Sequence, residues 1–231
     1  MVFSGPPGTG KTMSAAVMAN TLAAALYRVD LSAVVSKYIG ETEKNLNMVF
    51  EMAARGKGVL FFDEADVLFG RRTQVKDSRD KHSNMEAAYL LQRMEEYDGV
   101  VILATNYIQN MDEAFRRRIR FFVEFTLPDE DCRKLLWEKA FPSQCKFYEP
   151  PDYDFLAKQF TLSGSSIKSI ALQAAFYAAG EEMSFSADLH TEQRNRGVGM
   201  EHIVKALLEE TRKEGRRIAR EELKQYSIYY H

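Results

Sequence analysis

Gly5-Pro6-Pro7-Gly8-Thr9-Gly10-Lys11-Thr12 matches the phosphate-binding loop pattern G-x-x-x-x-G-K-[ST] at every specified position. A run of phosphates needs several backbone N–H groups pointing into one concavity, and glycines let the main chain curl that tightly and come that close. Lys11 supplies a point charge for the outer phosphates, and the Thr12 hydroxyl is an oxygen ligand for a hard cation. A helix opening near Gly10 aims its positive end at the same anion. The bland alternative is a glycine-rich turn between a strand and a helix. Context outweighs it, because Met1–Ser4 reads as a strand end and Met13–Ala25 as a helix. The expected nucleotide contacts are therefore Gly5, Pro6, Pro7, Gly8, Thr9, Gly10, Lys11, Thr12 and Met13.

The chain has 231 residues, room for an α/β domain with a smaller companion. Its 45% hydrophobic and 28% charged residues are those of an ordinary globular protein. A net charge of −2 gives no push toward nucleic acid or an anionic membrane. Cys132 and Cys145 fit neither a disulfide framework nor a metal knuckle, which suits a reducing, cytoplasmic compartment. No apolar run approaches membrane-spanning length, and no signal peptide is present. His82, His190, His202 and His231 lack metal-ligand spacing. Only four residues precede the phosphate loop, so the sequence reads as a fragment of something longer. At Ala23-Ala24-Ala25-Leu26-Tyr27 a helix runs into a strand without the Gly or Asn that usually ends one.

Beyond the loop, Leu26–Leu31 alternates as a strand does, and Glu41–Ala54 carries Leu46, Val49, Phe50 and Ala53 at helical spacing. Val59-Leu60-Phe61-Phe62 and Gly99–Ala104 are continuous apolar runs, as strands buried on both faces of a parallel sheet require. Arg71–Asn84 is polar and reads as a loop, Met85–Tyr97 and Met111–Arg118 as helices, and Phe121–Phe125 as the last strand. Strands alternating with helices imply a parallel sheet with right-handed crossovers. After Pro128 the patterns are helical: Asp131–Phe141, Tyr153–Phe160, Ser165–Ala179, and Met200 to about Tyr226. The expected organisation is an α/β phosphate-loop domain over 1–127, a three-layer sandwich with a parallel sheet, followed by a small α-helical domain over 128–231.

Asp63-Glu64 ends the apolar run Val59–Phe62, about fifty residues after the phosphate loop. A carboxylate at a strand end beside that loop suits a hydrated Mg²⁺, which assigns Asp63 together with Thr12 to the metal. Glu64 then stands where it can polarise a water for attack on the γ-phosphate. Asn106 ends the neighbouring strand, where its amide could hold that water or touch the phosphate; a strand-ending turn is its commoner use. Arg116-Arg117-Arg118-Ile119-Arg120 is either a solvated basic run or a set of charges offered to a neighbouring subunit, being expected at the far edge of the sheet from its own loop.

GPPGTGKT (5–12), VLFFDEAD (59–66), ILATN (102–106) and DEAFRRRIRFFVEF (112–125) together resemble AAA+ ATPases, in the branch of protein-remodelling segregases and katanin- or spastin-like enzymes. Among these the flavour is that of bacterial stand-alone members. The resemblance covers almost the whole chain. It implies ATP and Mg²⁺ as ligands, a homo-hexameric ring, and hydrolysis coupled to pulling a protein client through a central pore. It implies Glu64 and Asn106 in catalysis, and paired arginine fingers that fall on Arg117 and Arg120. Ser36–Glu43 resembles the first pore loop, with Tyr38 gripping the client, supported by Lys37 and Ile39; Arg71–Asn84 would supply a second. Leu162–Lys168 resembles the second sensor region, where Gly164, Ser165 and Lys168 would approach nucleotide; Ser166 and Ile167 stand where many members carry an arginine. The absence of H-E-x-x-H within these residues excludes a fused metalloprotease. A nucleotide-dependent assembly switch and a nucleic-acid translocase are the other readings. The carboxylate and finger arginines argue against the first, and the near-neutral charge against the second.

Overall fold

The computed structural model describes residues 1–34, 40–68, 78–111, 113–185 and 197–230. It divides into two compact units, Met1–Thr126 and Leu127–His231.

In the first unit the elements are β1 (Val2–Ser4), α1 (Lys11–Thr21), β2 (Leu26–Asp30), α2 (Leu31–Val34), α3 (Glu41–Arg55), β3 (Val59–Asp63), α4 (Ser78–Glu96), β4 (Val100–Thr105), α5 (Glu113–Arg118) and β5 (Phe122–Glu124). The strands form one parallel sheet in the order β2-β3-β4-β1-β5. The continuous apolar run of β3 is explained by burial on both faces. Leu60 and Phe62 pack with Leu46, Phe50 and Leu90 on one side, and Val59 and Phe61 pack with Phe3, Ala15 and Ala19 on the other. The buried positions of α1 are alanines and Lys11, so that helix lies close against the sheet and its first turn is held at the strand ends.

Besides shifts of a residue or two, and a helix read as ending at Ala179 that runs on to Phe185, three boundaries differ from the sequence reading. The first helix stops at Thr21 rather than Ala25, because Ala23 takes a left-handed φ of 49°. Ala23 N–H then donates to Asn20 O at 3.0 Å and Ala24 N–H to Ala19 O at 2.9 Å, the bonding of a helix end usually supplied by glycine. Helix α4 starts at Ser78, inside the stretch read as a loop, since a polar helix turn shows no apolar periodicity. The third lies in the second unit.

That unit contains α6 (Glu130–Ala140), α7 (Tyr153–Gln159), α8 (Gly164–Phe185) and α9 (Met200–Lys213), then 3₁₀ turns across Arg220–Tyr229. Asp129 and Asp152 cap α6 and α7 by accepting from Cys132 N–H at 2.8 Å and Phe155 N–H at 2.9 Å. Trp137, Leu156, Phe160, Ile170, Ile203 and Leu207 form its core. Buried Arg133 donates to Ala157 O at 2.8 Å and Pro128 O at 2.6 Å. The expected helix from Met200 to Tyr226 is not continuous. Gly215 turns left-handed at φ 79°, and Arg216 N–H closes onto Thr211 O at 2.9 Å. A glycine just past a periodic stretch was the signal for this stop.

Candidate nucleotide site

β1 is three residues long, yet it is paired on both sides: Val2, Phe3 and Ser4 lie opposite Leu103, Ala104 and Thr105 of β4 and opposite Phe122, Val123 and Glu124 of β5. The chain leaving it is fixed as firmly. Gly5 N–H donates to Thr105 O at 3.2 Å, and Phe125 N–H donates to Ser4 O at 2.6 Å. Gly5 has a φ of 138°, and a Cβ there would lie 1.9 Å from Phe125 O, so no side chain fits. Gly8 and Gly10 also take positive φ, 75° and 99°, which curls the loop. The Thr9 hydroxyl ties back to Pro6 O at 2.8 Å. The first intrahelical bond of α1 runs from Ser14 N–H to Gly10 O at 2.8 Å. The N–H groups of Lys11, Thr12 and Met13 precede it and form the anion-binding end of the helix. Met13 contributes main chain only to such a site, since its side chain is 69% exposed.

Lys11 is buried, and its ammonium has three donors. They go to Gly5 O at 2.6 Å, Pro6 O at 2.9 Å and the Asn106 amide oxygen at 2.9 Å. Two residues picked from motifs 95 positions apart are thus in direct contact. Burial lowers the Lys11 ammonium below the ordinary lysine value, and the charges of Asp63 and Asp66 oppose that shift.

Asp63 ends β3, with one carboxylate oxygen 2.7 Å from Arg28 Nη2 and the other accepting from Glu64 N–H at 3.1 Å. Glu64 is exposed and left-handed, with φ 55°. For a non-glycine residue this costs about 1–3 kcal/mol and persists where the surroundings impose it. Here the turn ends β3 on the side of the sheet's strand ends where the loop leaves β1. Thr12, Asp63 and Glu64 are oxygen donors of the kind Mg²⁺ accepts. Among the described residues no cluster of three or more His, Cys, Asp or Glu side chains could hold a metal unaided. A hydrated ion sharing its ligands with phosphates fits this donor set.

Two residues of this site carried no assignment from sequence. Asp66, in the 3₁₀ turn Ala65–Leu68, accepts from the Thr105 hydroxyl, from Asn106 N–H at 3.2 Å and from Tyr107 N–H at 3.3 Å. It therefore sets where Asn106 stands. The only available signal was its place as the last residue of Asp63-Glu64-Ala65-Asp66. Arg28 had no signal beyond lying on an alternating strand.

The arginine run lies elsewhere. Its strand is not remote from the phosphate loop in the order of the sheet, as expected from sequence, because β5 is the immediate neighbour of β1. The separation runs along the strands instead. Arg120 precedes Phe122, which pairs with Val2, whereas the loop leaves the other end of β1 after Ser4. Arg117 is 76% exposed and pairs with Glu113 at 2.5 Å. Arg118 meets Glu95 at 3.0 Å and Arg116 reaches Ile108 O at 3.3 Å. Arg120 is exposed and makes no ion pair among the described residues.

Gly164, Ser165 and Lys168 lie in the second unit, in the opening turns of α8. The Ser165 hydroxyl is 3.0 Å from that of Ser163, and Lys168 is exposed. Ser166 and Ile167 are buried, with the Ser166 hydroxyl bonded to Glu214 at 2.7 Å, so these two serve the core of their own unit. Lys37, Tyr38 and Ile39 fall outside the described residues, as do residues 71–77 of the stretch Arg71–Asn84. No described helix is long and apolar enough to cross a membrane.

Known proteins agree with this geometry. The family model for the ATPase family associated with various cellular activities (AAA) matches residues 1–129. A proteasome-activating nucleotidase of Archaeoglobus fulgidus is 36% identical over 190 residues, covering 79% of this chain and 48% of that protein. The meiotic spindle formation protein mei-1 of Caenorhabditis elegans is 32% identical over 182 residues, covering 76% and 38%. The chain thus spans less than half the length of these relatives. Among solved structures, the FIGL-1 AAA domain in complex with ADP superposes with a TM-score of 0.70, covering 99% of this chain and 76% of that one at 23% identity, a likeness of fold. A phosphate loop after β1, paired carboxylates ending β3 and an asparagine following β4 stand at one end of a parallel 2-3-4-1-5 sheet, and the chain belongs to the ATPase family associated with various cellular activities.

Proposed function

We propose that this chain is the ATP-hydrolysing core of a homo-hexameric ring that couples turnover to threading or remodelling a protein client. The observation that carries the reading is the contact between Lys11 and Asn106, with Asp63 and Glu64 ending the next strand. In it, a cation, a polar amide and two carboxylates with separate tasks stand at one end of one sheet.

In the proposed reaction the loop N–H groups and the start of α1 hold the β- and γ-phosphates. Lys11 exchanges its bonds to Gly5 O and Pro6 O for phosphate oxygens. Thr12 and Asp63 would hold Mg²⁺, Asp63 through water, and the ion would supply charge neutralisation for the phosphates. Glu64 accepts a proton from the water that attacks the γ-phosphorus, while the bond from that phosphorus to the bridging oxygen breaks toward ADP. Asn106 orients the water or the phosphate. Arg117 and Arg120 act on the nucleotide of the adjacent protomer, and Lys37, Tyr38 and Ile39 grip the client.

Assembly is supported by the edge strand β5, with Phe122 45% and Val123 40% exposed and Phe121 just before it 62% exposed, the kind of edge that proteins cover or blunt. Protein as the client is supported by the relation to a proteasome-activating nucleotidase. Lys11→Ala is expected to abolish nucleotide binding. Glu64→Gln is expected to keep binding and to lose turnover by at least about a hundredfold. Calorimetric affinity and phosphate release, measured side by side, check both. Normal turnover in Glu64→Gln removes the assigned base. Stimulation of wild-type turnover by unfolded polypeptide supports the remodelling reading. Stimulation by DNA or RNA alone replaces it with nucleic-acid translocation, and stimulation by neither replaces it with an assembly switch.

A further inference from the structure

Arg28 lies opposite Phe61 in the β2–β3 ladder, and Asp63 follows two residues later on the same face of the sheet. Phe61 packs against Ala15 and Ala19 of α1, so this is the face on which Lys11 opens its helix. Arg28 Nη2 reaches up the strand to within 2.7 Å of Asp63 Oδ2. With Oδ1 taken by Glu64 N–H, both oxygens of the carboxylate are engaged. The arginine side chain is 62% exposed, and a pair so open to water adds little to stability. A guanidinium also keeps its charge at any ordinary pH.

Asp63 is the carboxylate that would face Mg²⁺ in the reaction above, so one anion serves two cations. A divalent ion and a guanidinium about 6 Å apart repel by enough to weaken metal binding by roughly tenfold, even at the dielectric of water. We propose that Arg28 competes with the divalent cation for Asp63 and thereby sets how weakly, and how reversibly, the site holds Mg²⁺ beside nucleotide. The inference rests on the nucleotide-site reading and deepens it. Arg28 is a regulator of metal occupancy at that site, and the metal is retained chiefly while phosphates share it. Loss of Mg²⁺ with ADP is correspondingly eased.

The test is ADP affinity measured by calorimetry on the whole chain, in EDTA and over a series of Mg²⁺ concentrations, for wild type, Arg28→Gln and Arg28→Lys. The ratio of affinities with and without Mg²⁺ isolates the metal. Removal of the charge in Arg28→Gln is expected to lower the Mg²⁺ concentration of half-effect by roughly tenfold. Arg28→Lys retains the charge and is expected to stay within about threefold of wild type. Thermal melting of each variant verifies the fold. A folded Arg28→Gln with an unchanged or raised half-effect concentration overturns the proposal, as does a wild-type ADP affinity indifferent to Mg²⁺. Lys11→Ala distinguishes the two levels. If that variant binds ADP in EDTA as tightly as wild type, the nucleotide-site reading itself fails and this inference falls with it.

Discussion

Asp66 carries three hydrogen bonds at the end of β4, and none of its partners is an apolar packing group. It is a positioning residue: its carboxylate fixes Thr105, Asn106 and Tyr107, and through Asn106 the amide that meets Lys11. Removing it leaves the Thr105 hydroxyl and Asn106 N–H short of an acceptor, while Tyr107 N–H keeps the Thr105 hydroxyl oxygen at 3.1 Å; each group that water does not recover costs about 1–3 kcal/mol. Misplacing the Asn106 amide by an ångström costs up to about a hundredfold in rate, while binding of phosphates by the loop is untouched. Asp66→Ala is therefore expected to lower the melting temperature and kcat together and to leave ADP affinity within a few-fold of wild type. Asp66→Asn, which keeps one acceptor oxygen, should recover part of the rate. A kcat equal to wild type in a folded Asp66→Ala protein refutes the positioning role. Glu64 carries backbone strain at the proposed site, with a left-handed φ of 55° directly after β3.

Among the elements, α1 bears the closest relation to the site, and its far end is held by an alanine in a glycine conformation. Ala23 at φ 49° costs about 1 kcal/mol that glycine would not. Ala23→Gly is thus expected to raise stability by about that amount, with unchanged nucleotide affinity, because the proposed phosphate contacts lie at the opposite end of the helix. Denaturant titration checks it, and a destabilised variant contradicts the assignment of the strain. This residue also shows what a sequence conceals. Motifs written in side chains were legible: the loop glycines, Lys11, Asp63-Glu64 and Asn106 each need a particular residue type, and the buried strands announced themselves by unbroken apolar runs. Ala23 has no such mark, because its role lies in a backbone angle imposed by the short connection to β2. The polar first turns of α4 hid for want of an apolar stripe. Gly215 was legible and was passed over in favour of a periodicity that resumes beyond it. Arg28 and Asp66 depend on ladder register and on a turn, which only the assembled sheet defines.

At the scale of the whole molecule, the sheet determines which arginines can serve which nucleotide. Arg120 stands two residues before Phe122, itself level with Val2, while the phosphate loop starts at Gly5. Five residues of strand span roughly 16 Å, beyond the reach of one arginine side chain. Arg117, a turn of helix earlier, is held by Glu113 and open to solvent. Under the proposed function, a guanidinium so placed would neutralise transition-state charge only on a nucleotide carried by another copy of the chain, which a closed ring would present to it. Fingers of this kind contribute roughly 10³ to 10⁵ in rate in other nucleotide hydrolases. Turnover per protomer is accordingly expected to rise steeply with protein concentration as the ring forms, followed by light scattering and phosphate release on the same samples. Arg117→Ala should bind ATP and hydrolyse it slowly. Lys11→Ala protomers bind no nucleotide but keep both arginines, so mixing them with Arg117→Ala protomers should restore turnover that neither variant has alone. The restored activity must come from wild-type fingers meeting the Arg117→Ala sites. Constant activity per protomer on dilution to a proven monomer refutes this account. So does undiminished turnover in a folded protein carrying Arg117→Ala and Arg120→Ala together.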